Sequence, residues 1–311
     1  MKTNIAGKNI QILLATYNGE PYLREQLDSF LALDNYDRVK VLARDDGSTD
    51  GTLQILEEYE ERHGFEIIRG ENIGFTACMF ELFRRSDPAC AYFATSDQDD
   101  VWLPDKLSAG VRALEQLPAD APLLYGAATQ PAAADLTPIG GPTAAPRGVS
   151  FYNAMVQNVI PGHTQILNRR LVDILLSGDV KHAPVIDWWI YLLASGVGQV
   201  IYDTEPHVLY RQHGGNAIGS ETSRWGLWKR RGERLFENEF PFATKQLQTF
   251  LKLHGNVLRQ TEHVREIEGF LNQDAFFVRL KYVFTAKTFR QAAFETLCFK
   301  LLFLFGRYNI R

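Results

Sequence analysis

Apolar runs alternate with stretches of helical spacing four times between residues 10 and 116, and that rhythm leaves few folds open. The runs fall at residues 10–16, 39–43, 65–69 and 91–95. Each is short, rich in Ile, Leu, Val, Phe or Ala, and stopped by polar or glycine-bearing turns, so each reads as a buried strand. Residues 20–33, 51–62, 74–85 and 104–116 carry apolar side chains at helical intervals, as in Leu23, Leu27 and Phe30. Ser48 or Thr49 is expected to cap the second helix. Strand–helix alternation predicts a mostly parallel sheet covered on both faces. Ligands of such sheets bind beyond the carboxyl ends of the strands. The polar turns at residues 15–18, 44–48 and 96–102 all follow strands, so they are expected to converge in one crevice.

With 311 residues, the chain suits one large domain and an appendage. Its net charge of −4 gives no global attraction to nucleic acid. The distribution is uneven. Residues 224–311 hold 16 Lys and Arg against 8 Asp and Glu, whereas residues 1–223 carry a net −12. The texture changes near residue 221 to helical patterns rich in aromatics and cations, and a domain boundary is expected there, giving units 1–220 and 221–311. Residues 126–148, rich in Ala, Pro and Gly, read as an irregular connection or flap. Cys78, Cys90 and Cys298 form neither a disulfide framework nor a zinc pattern, and fit buried thiols of a reducing compartment. Residues 1–9 lack the apolar core of a signal peptide, and no run of about 18 apolar residues occurs. A cytoplasmic protein without a membrane span is expected.

Chemistry concentrates in Ser96-Asp97-Gln98-Asp99-Asp100-Val101-Trp102. Three carboxylates in four residues repel one another at a strand end unless a cation lies among them. Mg²⁺ or Mn²⁺ holding a diphosphate answers that need, because hard oxygen ligands suit both the metal and the phosphates. A solvated acidic turn is the plainer alternative.

The segments Ala15-Thr16-Tyr17-Asn18, Asp45-Asp46-Gly47-Ser48-Thr49-Asp50, Asn72-Ile73-Gly74, Asp97-Gln98-Asp99, Asp187-Trp188-Trp189 and Tyr210-Arg211-Gln212-His213-Gly214-Gly215-Asn216 occur in that order. Over roughly residues 9–220 this set resembles the family 2 glycosyltransferases, and most closely the bacterial rhamnosyltransferase-like group of polysaccharide assembly. The resemblance implies a GT-A fold: α/β, with a mostly parallel central sheet flanked by helices and followed here by a helical appendage. It also implies roles. Ala15 lies in the nucleotide-sugar site, and Tyr17 packs on the nucleotide base, with filling the domain core its alternative; Asp45 or, preferentially, Asp46 reads the imide N–H of uracil or thymine, with helix capping its alternative; Asn72 and Gly74 form a turn on the nucleotide side. Asp97 contacts the ribose or shares the metal, Asp99 binds the metal, and His213 is a third ligand or a diphosphate contact. Arg211 would clamp the diphosphate. Asp187 would be the general base that takes a proton from the acceptor hydroxyl. Trp188, Trp189 and His163 are candidates for the acceptor side, with core packing the alternative for both tryptophans.

The implied reaction is inverting transfer from a nucleoside-diphosphate sugar, dTDP-L-rhamnose or alternatively a UDP-hexose or UDP-N-acetylhexosamine, to a saccharide or lipid-linked acceptor, with Mn²⁺ or Mg²⁺. A catalytically silent nucleotide-sugar-binding component of an assembly complex is the rival. It would not need Asp187. A nucleotidyltransferase would want a Gly-rich phosphate loop after the first strand, which Ala15-Thr16-Tyr17-Asn18-Gly19 lacks. Residues 276–305 interleave Phe and Leu with Arg279, Lys281, Lys287, Arg290 and Lys300. They are expected either to lie in the interface of an anionic membrane, making the protein peripheral at the inner face of the plasma membrane, or to pack on protein, the catalytic domain or another copy in a homo-oligomer.

Overall fold

The computed structural model describes residues 9–178, 185–213, 239–255, 258 and 261–308. The expected boundary near residue 220 and the segment Gly214-Gly215-Asn216 lie outside the described residues.

The first half of the chain forms β1 (Ile10–Thr16), α1 (Glu20–Leu31), β2 (Val39–Asp45), α2 (Thr52–His63), β3 (Glu66–Arg69), α3 (Phe75–Arg85), β4 (Tyr92–Ser96), β5 (Val101–Trp102) and α4 (Lys106–Leu114). Then come β6 (Leu123–Ala127), β7 (Gln130–Ala132), α5 (Phe151–Ala154), β8 (Ile166–Asn168), α6 (Arg169–Leu176), α7 (Ile186–Val197), β9 (Gln199–Asp203) and β10 (Val208–Arg211). Four helices follow: α8 (Glu239–His254), α9 (Thr261–Leu271), α10 (Phe276–Thr285) and α11 (Ala293–Leu304).

Seven strands make the main sheet in the order β3-β2-β1-β4-β8-β6-β9. All neighbours are parallel except β8, which runs antiparallel to β4 and to β6. A second sheet has the order β5-β10-β7. The chain leaves β1 toward β2 and β3, then returns to place β4 on the other side of β1. That reversal opens a crevice at the carboxyl ends of β1 and β4, where open α/β sheets bind ligands.

The period-2 alternation of a strand buried on both faces explains the two cores. Ile10, Ile12 and Leu14 of β1 pack with Leu23, Leu27 and Phe30 of α1 and with Leu107 and Val111 of α4. Leu13 and Ala15 point the other way, into a core with Cys78, Met79 and Phe83 of α3 and Trp189, Ile190 and Leu193 of α7. That second core continues into Leu247 and Phe250 of α8, Phe270 of α9 and Phe299 and Phe303 of α11. Phe250 is fully buried, with its ring 5.7 Å from that of Trp189. Burial of one such side chain contributes about 1.5–3 kcal/mol. The helices beyond residue 239 therefore pack on the layer made by α5 and α7, which itself lies against one face of the main sheet.

The helix after β2 begins at Thr52, not at a Ser48 or Thr49 cap. Asp50 Oδ1 accepts from Thr52 N–H at 3.0 Å, and Glu20 Oε2 accepts from Gly51 N–H at 2.7 Å. Ser48 instead bonds Asp45 and the Asn18 N–H. Among the described residues no helix is long and apolar enough to cross a membrane.

Candidate active site

The three polar turns do converge. A cleft of about 630 Å³ is lined by Ala15, Tyr17, Asp46, Asn72, Gly74, Asp97, Asp99, His163 and Asp187, among others. That volume lies in the range of small-ligand and cofactor sites.

One end is built by the turns after β1 and β2. Asn18 takes a left-handed φ of 49°, and its Oδ1 accepts from Thr49 N–H at 2.8 Å. Tyr17 is thereby left 47% exposed, an aromatic face available at the cleft wall. Asp45 and Asp46 divide the labour. Asp45 closes its own turn, accepting from Ser48 N–H at 3.0 Å and from the Ser48 hydroxyl at 2.5 Å. Asp46 lines the cleft and holds the 72–74 turn, accepting from Ile73 N–H at 3.0 Å and Gly74 N–H at 2.9 Å, with the Arg44 guanidinium against it. Gly47 has φ +80°, and a Cβ there would meet the Asn72 nitrogen at 2.9 Å.

The acidic turn after β4 separates into two groups. Asp99 Oδ2 lies 2.8 Å from His213 Nε2, whose ring leans on Tyr22 at 4.4 Å. Burial, then the neighbouring Asp97 charge, raises the Asp99 carboxyl above its ordinary value, with His213 opposing. Asp97 Oδ2 lies 3.5 Å from His163 Nδ1, and Asp100 Oδ2 lies 3.7 Å from the same nitrogen. Asp97, Asp100 and His163 each bring a ligand atom within 4.8 Å of the others. Asp100 is wholly buried; its Oδ1 accepts from Arg211 N–H, and Oδ2 has no hydrogen-bond partner. Burial pushes the Asp100 carboxyl upward against the pull of His163. His163 is raised: burial opposes its charged form, but Asp100 and Asp97 outweigh that. Lys106, fully buried over the Trp102 ring, is lowered by burial to about 7. Acceptor atoms thus outnumber cations around this turn, and hard oxygen donors with an imidazole fit a divalent ion.

Across the cleft stands Asp187, at the start of α7. Its Oδ2 accepts from Asn158 Nδ2 at 2.9 Å and Gly162 N–H at 3.2 Å; Oδ1 accepts from Trp188 N–H at 2.8 Å. Burial lifts this carboxyl to about 6, the Trp188 and Gly162 amides pull it down, and the Asp97 charge adds to the rise. A carboxylate held in one orientation, with its charge partly destabilised, is suited to accept a proton near neutral pH.

Three expected roles need correction. Trp189 is 0% exposed and packs edge-on to Phe250, and Trp188 donates from Nε1 to the Ala154 carbonyl at 2.6 Å. Both are core side chains, and neither lines the cleft. Arg211 is buried, donating to the Asp99 carbonyl at 3.0 Å, to Glu25 at 2.6 Å and to the Ala134 carbonyl. It braces the acidic turn where a diphosphate clamp was expected. His163 does line the cleft, ring-stacked on Tyr210 at 4.8 Å. Sequence reading missed Asn158 and Gln165. Gln165 lines the cleft, and its Nε2 donates to the Ile160 and Asp187 carbonyls at 2.9 and 2.8 Å. Neither residue belongs to a motif, so no local signal marked them.

A mostly parallel sheet, with an aromatic face and an acidic turn flanking its switch point, defines a GT-A architecture. Residues 11–128 match the family described as glycosyl transferase family 2. It is 28% identical over 233 residues to the dTDP-rhamnosyl transferase RfbG of Shigella flexneri, covering 70% of this chain and 78% of that one. It is also 28% identical to a Mycobacterium tuberculosis protein, Rv1520, over 72% of this chain, and spans 64% of that relative's length. Two solved structures share the fold, each at 15% identity and a TM-score of 0.54. Staphylococcus aureus TarS 1–349 with UDP-GlcNAc covers 88% of this chain and 80% of its own. Pyrobaculum calidifontis mannosyltransferase PcManGT with GDP-Man and Mn²⁺ covers 97% and 83%.

Proposed function

We propose that this chain transfers a sugar from a nucleoside diphosphate to an acceptor hydroxyl with inversion, using Asp187 as general base. The observation that carries the reading is the placement of Asp187, buried and triply hydrogen-bonded, in the same cleft as Asp97, Asp99 and the exposed face of Tyr17. Asp187 accepts the hydroxyl proton while that oxygen bonds to C1. The C1–O bond to the diphosphate breaks on the opposite side, and its electron pair leaves with the nucleoside diphosphate. Asp99 and His213, with Asp97 beside them, would hold Mn²⁺ or Mg²⁺, and the Asp97, Asp100 and His163 group is the alternative. When bound there, the ion would stabilise charge on the departing diphosphate. Asp46 and Tyr17 would seat the base; a carboxylate pairs with the imide N–H of uracil or thymine.

dTDP-L-rhamnose is the favoured donor, supported by the Shigella relative. A UDP-N-acetylhexosamine is the alternative, supported by the ligand of TarS. The acceptor is a saccharide or a lipid-linked saccharide of polysaccharide assembly. Membrane contact has its own support. The inner faces of α10 and α11 pack on protein, but Phe277, Phe284 and Phe305 are 78%, 80% and 72% exposed, and Phe294, Leu297 and Leu301 are exposed beside them. A helix apolar on its outward face, within a basic segment, fits an anionic lipid interface. The test is a panel of UDP-, dTDP- and GDP-sugars assayed for Mn²⁺-dependent hydrolysis and thermal stabilisation. Turnover of one donor class supports the reading, and silence across the panel overturns it.

A further inference from the structure

The connection between α10 and α11 reaches the segment that carries Asn158. Arg290 Nη1 donates to the Val156 carbonyl at 2.9 Å, and Gln291 N–H donates to Gln157 Oε1 at 2.8 Å. The Phe289 carbonyl accepts from Asn153 Nδ2 at 3.1 Å. From the other side, Arg147 Nη1 donates to the Arg290 carbonyl at 3.0 Å, with its guanidinium 4.1 Å from the Phe289 ring. Arg290 is buried, so these bonds are shielded from water. The next residue, Asn158, has both side-chain ends engaged. Its Oδ1 accepts from Ile160 N–H at 3.1 Å, and its Nδ2 donates to Asp187 Oδ2 at 2.9 Å. A path of hydrogen bonds therefore runs from the α10–α11 connection to one oxygen of Asp187.

We propose that Asn158 and Arg290 are positioning residues for the base: Arg290 fixes the 156–158 segment, and Asn158 fixes the Asp187 carboxylate. This rests on the reading of Asp187 as general base. The helices beyond residue 239 thereby contribute to the geometry of catalysis as well as to the core. The bond from Asn158 favours the ionised carboxylate, because a neutral amide donor stabilises the charged form more than the protonated one. The other charged groups acting on Asp187 are Asp97 and His163, and neither lies on the 156–158 segment.

The test follows the Asp187 carboxyl carbon by NMR in the full-length chain, assigned by its loss in Asp187→Asn. Asn158→Ala is expected to move its titration midpoint up by about one pH unit, the equivalent of one hydrogen bond to a charged group. Arg290→Ala is expected to move it in the same direction by less, and Arg290→Lys, which keeps one donor, to restore it. With a donor that the protein turns over, Asn158→Ala should lower kcat about tenfold while the dissociation constant for UDP or dTDP with Mn²⁺ stays within about twofold. An unchanged Asp187 midpoint in folded Asn158→Ala or Arg290→Ala overturns the proposal. If Arg290→Ala does not fold, Gln157→Ala, which removes the acceptor for Gln291 N–H, replaces it with the same two outcomes. If the wild-type protein turns over no donor, the transferase reading fails, and the titration still decides the positioning claim.

Discussion

Gln98 clamps the backbone of Tyr17 from both sides, accepting its N–H at 2.8 Å and donating to its carbonyl at 3.0 Å. The middle residue of the acidic turn is thus bonded to the residue proposed to seat the base. A Cβ on Gly19 would lie 2.4 Å from Gln98 Oε1, so glycine leaves the room that the clamp occupies. The turns after β1 and β4 are therefore set at a fixed separation by one amide.

Breaking that clamp should loosen donor binding without unfolding the protein. Gln98→Ala is expected to weaken UDP or dTDP affinity about tenfold by calorimetry, with the denaturation midpoint almost unchanged, because the amide lies at an exposed site. Unchanged affinity would mean that the two turns hold their spacing without it.

Asp187, as the proposed general base, sets the expected pH dependence. Its carboxyl, raised to about 6, must be ionised to accept a proton. Transfer should fall about tenfold per pH unit below that value and level off above it. Asp187→Asn should remove this limb and lower transfer by about 10²–10⁴-fold with donor affinity retained. A steady-state pH profile of both proteins checks the sign and the size.

Asp99→Ala should abolish the part of nucleoside-diphosphate affinity that depends on Mn²⁺. Titrations of UDP and dTDP with and without the ion measure that difference directly. If it survives the substitution, the ion is held elsewhere, and Asp97, Asp100 and His163 become the set to test.

Arg211→Lys should destabilise the fold by about 2–4 kcal/mol in chemical denaturation. The buried guanidinium reaches the Asp99 and Ala134 carbonyls and the exposed Glu25 carboxylate, and one ammonium at the same place cannot reach all three. A diphosphate clamp on the surface would instead lose donor affinity with stability intact.

Phe277→Asp combined with Phe284→Asp should abolish sedimentation with anionic vesicles at low salt while leaving the folded state unchanged, since both side chains are exposed. Persistent binding would place the lipid contact elsewhere. A wild-type protein that stays in the supernatant would remove the membrane from the reading.

Local chemistry was legible in the sequence, and long-range pairing was not. The strands, the helices after them and the crevice follow from hydrophobic period and from turns placed at strand ends. Tyr17, Asp46, Asp97 and Asp187 line one cleft because each directly follows, or begins, a regular element. Arg211 differs because its carboxylate partner, Glu25, is 186 residues away. Trp189 differs because Phe250, which packs on it, lies in a later helix, and Trp188 because its Nε1 partner, the Ala154 carbonyl, lies 34 residues earlier. Asn158 carries no motif, and only the fold shows that its amide meets Asp187.

The core shared by α3, α7 and the helices beyond residue 239 bears on how the chain is made. Proteins synthesised from the amino end tend to fold unit by unit as they emerge. Here Leu13, Phe83 and Trp189 belong to the same apolar cluster as Phe250, Phe270 and Phe303. The outer side of the α5–α7 layer stays open until the helices beyond residue 239 have left the ribosome. During that interval a nascent chain presents a wide greasy surface, and a holding chaperone would find its binding site there.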